Sequence, residues 1–308
     1  MKYIKIILLS LLLLTLAAFA VAYIVFLKKN VETKTLDAEA RKNVSGSFVQ
    51  LTDGITHYEL AGPDTGKTVI LVHGFSVPYY IGDSTFPALV KAGYRVLRYD
   101  TYGRGFSDRP DVTYDAALFR RQLSQLLQAL NIHSVYAMAG ISFGGPVTAD
   151  FVTHYADMVN KVILIDPVYP NLRQVNHSAF IVNYSMAVTP GDMVNGQLTD
   201  LKYPSRFPTW GEQYKTAMQY KGFRNALVCT LLHYAPPGAI VDNYKALDSL
   251  HKQVLLIWGR EDNTVPFKNS DSLRQILHTT FLPVYDAAHL PIMEKAGTVN
   301  DAIISFLK

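Results

Sequence analysis

At 308 residues, with 49 % apolar and 18 % charged side chains, the chain is long enough for one large domain or a domain with an insertion, and its composition excludes wholesale disorder. The formal charge of +4 is concentrated at one end: residues 1–34 hold five lysines (Lys2, Lys5, Lys28, Lys29, Lys34) against Glu32 alone. Taking these from 29 bases and 25 acids leaves 24 of each, a neutral body without the clustered cations of a nucleic-acid footprint, so no nucleic-acid partner is expected.

The first feature in chain order is an uncharged run from Ile6 to Leu27, in which only Ser10, Thr15 and Tyr23 carry polar groups. As a helix it would reach about 33 Å, enough to cross a bilayer core. The expectation is an uncleaved anchor over residues 1–29, placing the protein at a membrane through residues 6–27. The competing reading is a signal peptide cut at Ala18-Phe19-Ala20, which would release a secreted or periplasmic body but leave an awkwardly apolar new N-terminus. Lysines flank both ends of the run, so charge does not set its orientation. Residues 30–46 are polar and read as a linker.

Beyond the linker, Phe48–Leu51 and Ile55–Leu60 are expected to form a leading antiparallel pair. Apolar runs at Thr68–His73, Tyr94–Asp100, Ser134–Gly140, Lys161–Asp166, Gln253–Gly259 and Thr280–Tyr285 lack strict alternation, as strands covered on both faces do. Helical patterns fall between them at Thr85–Ala92, Tyr114–Leu130, Gly144–His154, Pro266–Leu277 and Pro291–Leu307. Alternating strands and helices predict an α/β fold with a mainly parallel sheet and helices on both faces. The alternation stops from Val168 to about Asn243, where six prolines and helical segments such as Glu212–Leu232 suggest a helical insertion. The core then comprises residues 47–167 and 244–308, and the insertion residues 168–243.

Gly140-Ile141-Ser142-Phe143-Gly144 follows a predicted strand and precedes a predicted helix. This is the setting in which G-x-S-x-G forms a strained turn that lifts a serine above the sheet edge, so Ser142 is the candidate nucleophile. Acyl transfer also requires two N–H groups aimed at the developing oxyanion. Phe143, next to the serine, and Phe75, in the loop after the upstream strand, are the expected donors. His73 in that loop is read as structural, its ring bonding backbone. His289 follows the last strand and is the candidate base, since a serine hydroxyl needs an imidazole to take its proton. Asp262, in the loop after the preceding strand, is the candidate acid; Glu261 and Asp166 compete. Glu261 is read as an acid at a helix N-terminus. Cys229 is the only cysteine, so no intramolecular disulfide forms, and the nine histidines lack metal-ligand spacing. No metal and no cofactor is expected.

Together His73-Gly74-Phe75, Asp100-x-x-Gly103-x-Gly105-x-Ser107, Gly140-x-Ser142-x-Gly144, Gly259-x-x-Asp262 and His289 resemble the α/β-hydrolase superfamily over residues 47–308. The order Ser142, Asp262, His289 is that of its triad. The resemblance implies an eight-stranded core and a lid formed by the insertion. Serine at the turn argues against epoxide hydrolases and haloalkane dehalogenases, which carry aspartate there, and Phe143 argues against proline iminopeptidases. The anchor and the lid's apolar side chains (Phe180, Ile181, Tyr184, Met186, Phe223) point to hydrophobic acyl esters, monoacylglycerols among them. Two alternatives stand beside this: a carbon–carbon hydrolase of ring-cleavage products with the same triad, and a non-catalytic ligand-binding receptor.

Overall fold

The computed structural model describes residues 2–172 and 177–308; residues 173–176 of the insertion lie outside the described residues. In chain order the helices are α1 (Lys2–Lys29), α2 (Ala38–Arg41), α3 (Phe86–Lys91), α4 (Ala116–Ala129), α5 (Gly144–His154), α6 (Ala179–Val188), α7 (Pro190–Thr199), α8 (Trp210–Met218), α9 (Phe223–His233), α10 (Ala239–Ser249), α11 (Asn269–Arg274), α12 (Pro291–Glu294) and α13 (Ala296–Leu307). The strands are β1 (Ser47–Leu51), β2 (Gly54–Ala61), β3 (Thr68–Val72), β4 (Arg95–Tyr99), β5 (Val135–Ile141), β6 (Val159–Ile165), β7 (Gln253–Gly259) and β8 (Thr280–Val284).

All eight strands form one sheet in the order β1-β2-β4-β3-β5-β6-β7-β8. β1, β2 and β4 pair antiparallel at one end, and the remaining pairs are parallel. The central strands are buried along almost their whole length because helices cover both faces. Alternate side chains divide between two cores. Ile70, Val72, Met138, Leu164 and Leu256 pack with α4, α5 and α10, while Val69, Leu71, Ala137, Ile163 and Leu255 pack on the side of α3 and α13. Burying each such aliphatic side chain contributes about 1.5–3 kcal/mol. Every parallel strand points the same way, so the loops after β3, β5, β6, β7 and β8 gather at one carboxyl edge, where ligands of open α/β sheets bind.

Several elements differ from the sequence expectation. The expected Glu212–Leu232 segment is two helices, α8 and α9, divided where Gly222 takes φ +91°. The expected helix Pro266–Leu277 contracts to α11, because Asp262 Oδ1 accepts the N–H groups of Thr264 (2.8 Å) and Val265 (2.9 Å) and holds the chain in a turn first. The last helix breaks at Lys295 into α12 and α13. α10 runs across the 243/244 boundary and packs on α5, as a crossover helix between β6 and β7 does.

Residues 30–46 are tied to the body rather than hanging as a free tether. Lys34 bridges Tyr220, α2 forms within the segment, and Arg41 pairs with Asp108 at 2.5 Å. α1, by contrast, buries none of its residues.

Candidate active site

Ser142 sits between the last residue of β5 and the first turn of α5, with φ +54°, a left-handed conformation costly for a residue with a Cβ. Its neighbours explain the glycines. A Cβ on Gly140 would stand 2.3 Å from the Gly144 carbonyl oxygen, and one on Gly144 2.2 Å from that of Val72. Only glycine lets the turn close against β3. The turn is braced by Ser142 N–H donating to Ile165 O (2.9 Å) and Val168 N–H donating to Ser142 O (3.0 Å).

The loops after β7 and β8 bring Asp262 and His289 to this serine. Ser142 Oγ lies 2.9 Å from His289 Nε2, and His289 Nδ1 lies 2.8 Å from Asp262 Oδ2. Because the carboxylate can only accept, Nδ1 carries the hydrogen and Nε2 is free to receive the serine proton. All three residues are buried, with Ser142 8 % exposed. Burial disfavours the imidazolium, but the Asp262 charge and hydrogen bond, with Asp200 nearby, outweigh it and raise the His289 pKa above its ordinary value.

Asp166, weighed in the sequence as a rival acid, stands behind this line rather than in it. It follows β6 at φ +43° and is fully buried. One carboxyl oxygen accepts Gly259 N–H at 2.8 Å, and the other has no hydrogen-bond partner. A ligating atom of Asp166 lies within 4.8 Å of those of Asp262 and His289. Burial first, then the Asp262 charge, push its carboxyl pKa far above the usual carboxylate range. Both causes favour the uncharged form of Asp166.

Glu261, expected at a helix N-terminus, instead helps to hold the histidine loop. Its Oε2 accepts Ala287 N–H at 3.1 Å, and its Oε1 meets Lys202 Nζ at 3.2 Å. Glu294, which the sequence did not single out, holds the same loop. Its Oε2 accepts Ala288 N–H (2.8 Å), and its Oε1 accepts the N–H groups of Lys202 (2.8 Å) and Tyr203 (3.0 Å). His289 N–H itself donates to Asp200 O at 3.0 Å. The end of α7 is thereby fastened to the loop carrying the histidine.

Among the described residues, neither Phe75 N–H nor Phe143 N–H donates to a protein acceptor, leaving two donors beside Ser142. Arg104, fully buried, donates from Nε to Phe75 O at 2.8 Å and from a terminal nitrogen to Thr230 Oγ1 at 3.0 Å, so it holds the peptide that follows Phe75. His73 Nδ1 donates to Gly74 O at 2.8 Å and Nε2 accepts Thr101 N–H at 2.9 Å. Burial lowers its pKa to about 4, in keeping with a neutral structural ring. Ser142 and His289 open on a cavity of about 550 Å³ lined by Gly74, Phe75, Val168, Leu172, Gln197 and Leu231 among others.

Residues 69–302 match the family model described as "Alpha/beta hydrolase family", and the chain belongs to that family. A protein of Synechocystis sp. named putative non-heme chloroperoxidase is 32 % identical over 131 residues, 42 % of this chain and 46 % of that protein. The 2-hydroxy-6-oxononadienedioate/2-hydroxy-6-oxononatrienedioate hydrolase of Escherichia coli is 26 % identical over 78 % of this chain and 87 % of its own length. The crystal structure of a thermophilic esterase from Thermogutta terrifontis superposes with TM-score 0.72 at 23 % identity, covering 85 % of this chain and 98 % of that one, a likeness of fold.

Proposed function

We propose that the protein is a membrane-anchored serine hydrolase that cleaves uncharged carboxylic esters through an acyl-enzyme. The carrying observation is the unbroken line from Ser142 Oγ through His289 to Asp262, opening on the cavity. In this reading His289 takes the Ser142 proton as Oγ attacks the ester carbonyl carbon. Phe75 and Phe143 N–H groups hold the oxyanion, and Asp262 steadies the imidazolium. His289 returns the proton to the leaving alkoxide. It then deprotonates the water that attacks the acyl-enzyme, releasing the acid and restoring the serine. Asp166 acts as a positioning residue behind Asp262, its carboxyl held by the Gly259 N–H. The insertion serves as a lid, and α1, wholly uncharged between Ile6 and Leu27, spans the bilayer.

The E. coli relative's name favours a second reading, cleavage of a carbon–carbon bond in a dienedioate. The charge of the cavity speaks for the ester. Asp200 lines it, and no lysine or arginine does so among the described residues, so that part of the wall offers a dianion no cationic partner. Fluorophosphonate labelling of the full-length chain tests the chemistry: the adduct is expected on Ser142 and absent in Ser142→Ala. A folded protein that takes no label would move the assignment to the ligand-binding class. Turnover of a ring-cleavage dienedioate far above that of p-nitrophenyl butyrate would replace the ester reading.

A further inference from the structure

α1 does not leave the body as a free stalk. Just past its last turn, Glu32 is buried and accepts the backbone N–H groups of Gly222 (3.1 Å) and Arg224 (2.6 Å) at the start of α9. Arg224 reaches back to Asn30 Oδ1 (2.7 Å) and Glu32 (3.3 Å), and its guanidinium lies 5.8 Å from the Phe26 ring centre. Lys34 N–H donates to Gln219 O and Lys221 N–H to Lys34 O, each at 2.9 Å. This seam sets the angle between α1 and the insertion.

Within the apolar run itself, Tyr184 of α6 donates from its hydroxyl to the Ala22 carbonyl at 3.0 Å. Ala22 lies five residues before the run ends at Leu27, where Lys28 and Lys29 mark headgroup level. At 1.5 Å per residue the contact is about 8 Å inside the apolar stretch. A bilayer surface set at Leu27 therefore cuts through α6 instead of clearing it. The sequence of α6, AFIVNYSMAV, carries no charge, and it leaves Phe180 74 % and Ile181 52 % exposed. Interfacial helices sink their apolar faces about 5–10 Å, the depth the Tyr184 contact marks. The segments on either side of α6 also reach the site: Tyr169 and Leu172 before it, and Gly196 and Thr199 after it, line the cavity.

We propose that α6 lies in the boundary layer of the bilayer that α1 spans, Phe180 and Ile181 touching acyl chains, and that the site draws a long-chain, uncharged ester directly from that leaflet. The proposal rests on the reading of α1 as an uncleaved anchor and of Ser142 as the nucleophile. It extends both by assigning a lipid surface to α6 and a membrane-dissolved substrate to the cavity.

Full-length protein in phosphatidylcholine vesicles tests it. Phe180→Trp adds a reporter to the buried Trp210 and Trp258. His133→Trp, at the exposed amino end of β5, is the control on the sheet edge away from Ser142. Acyl-chain-brominated lipid is expected to quench the added Phe180→Trp emission at least twofold and to leave that of His133→Trp unchanged. Equal response of the two probes, or none at position 180 while the protein floats with vesicles after alkaline washing, overturns the α6 proposal and leaves the anchor standing. Protein that stays with the soluble fraction, its N-terminal mass showing cleavage, overturns both. A Phe180→Asp/Ile181→Asp variant, checked for folding by its melting curve, supplies the activity arm. The ratio of its turnover on a vesicle-borne long-chain ester to that on a water-soluble short-chain ester is expected to fall about tenfold. An unchanged ratio refutes lateral entry, whereas absence of Ser142 labelling in the unaltered protein would fault the catalytic reading instead.

Discussion

Two buried histidine–aspartate pairs occur among the described residues, and at their contacts they are nearly the same object. His57 Nδ1 lies 2.7 Å from Asp100 Oδ2, and His289 Nδ1 lies 2.8 Å from Asp262 Oδ2. Each aspartate accepts two backbone N–H groups besides: Asp100 from Tyr79 and Phe106, Asp262 from Thr264 and Val265. They part at the far nitrogen. His57 Nε2 meets the Ser45 carbonyl at 2.7 Å, an oxygen with no proton to give, and the ring is stacked between Phe48 and Tyr79. His289 Nε2 meets a hydroxyl at the edge of a cavity. A histidine–aspartate dyad is thus a common structural brace, and it becomes a base only where the fold aims its second nitrogen at a proton donor that substrate can reach.

The largest expected effect tests the proposed base. Asp262→Asn keeps the shape of the acid but removes its charge and the fixed tautomer of His289, and should lower kcat about 10⁴-fold with little change in melting temperature. Steady-state kinetics on an activated ester, with a melt as control, would show it; a loss under tenfold would sink the assigned role of Asp262. At the other pair the signs reverse. Asp100→Asn weakens the acceptor of the buried His57 ring and of two backbone N–H groups and should cost about 1–3 kcal/mol of stability, read by urea unfolding. Turnover per folded molecule should stay within about twofold. A large kcat loss there would erase the contrast between the pairs.

Asp166 sharpens the comparison, because only the His289 pair has a second carboxyl behind it. Asp166→Ala removes the acceptor of the Gly259 N–H, leaving that buried donor unpaired at about 1–3 kcal/mol, and should slow turnover about tenfold by loosening the loop that carries Asp262. Asp166→Asn can still accept Gly259 N–H, so it should retain several-fold more activity than the alanine variant. Equal losses in the two would show that Asp166 does not act through the hydrogen bond from Gly259.

What could be read in advance follows from how local each constraint is. β7 has the limits expected of it, Gln253–Gly259, because a strand covered on both faces writes its whole length in apolar residues. The turn at Ser142 was equally legible, since steric closure against Val72 leaves glycine alone at position 144. The setting of Asp166 was not, because it depends on Asp262 and His289 arriving from two other strands. Residues 30–34 read as linker for the same reason: the partners of Glu32 lie 190 and 192 residues away. Gly222, which splits the long helix expected in the insertion, carries the signal that could have corrected that boundary.

The smallest expected effect is a shift along the pH axis. His289 must be neutral to accept the serine proton, and its pKa is raised, by Asp262 foremost among the groups that outweigh burial. Activity should therefore be lost as pH falls through a value above the ordinary 6.5 of histidine. Stability runs the other way. The charged ring is favoured in the folded protein, so its contribution is complete below the unfolded pKa and fades as pH rises through the folded one. At the other pair, burial opposes ionisation of Asp100, but the His57 hydrogen bond and charge, His73 and Tyr79 N–H outweigh it and hold its carboxyl below 3.8. That contribution is present above 3.8 and is lost as pH falls through the lowered value. The residual activity of Asp262→Asn should accordingly lose its acid limb at lower pH than the unaltered protein does. The acid limb of Asp100→Asn should stay in place while its unfolding midpoint gains less than that of the unaltered protein as pH rises from about 3 to about 5. A kcat/KM profile for each variant separates the two pairs, and an acid limb that moves with Asp100 instead of Asp262 would show that the base had been assigned to the wrong histidine.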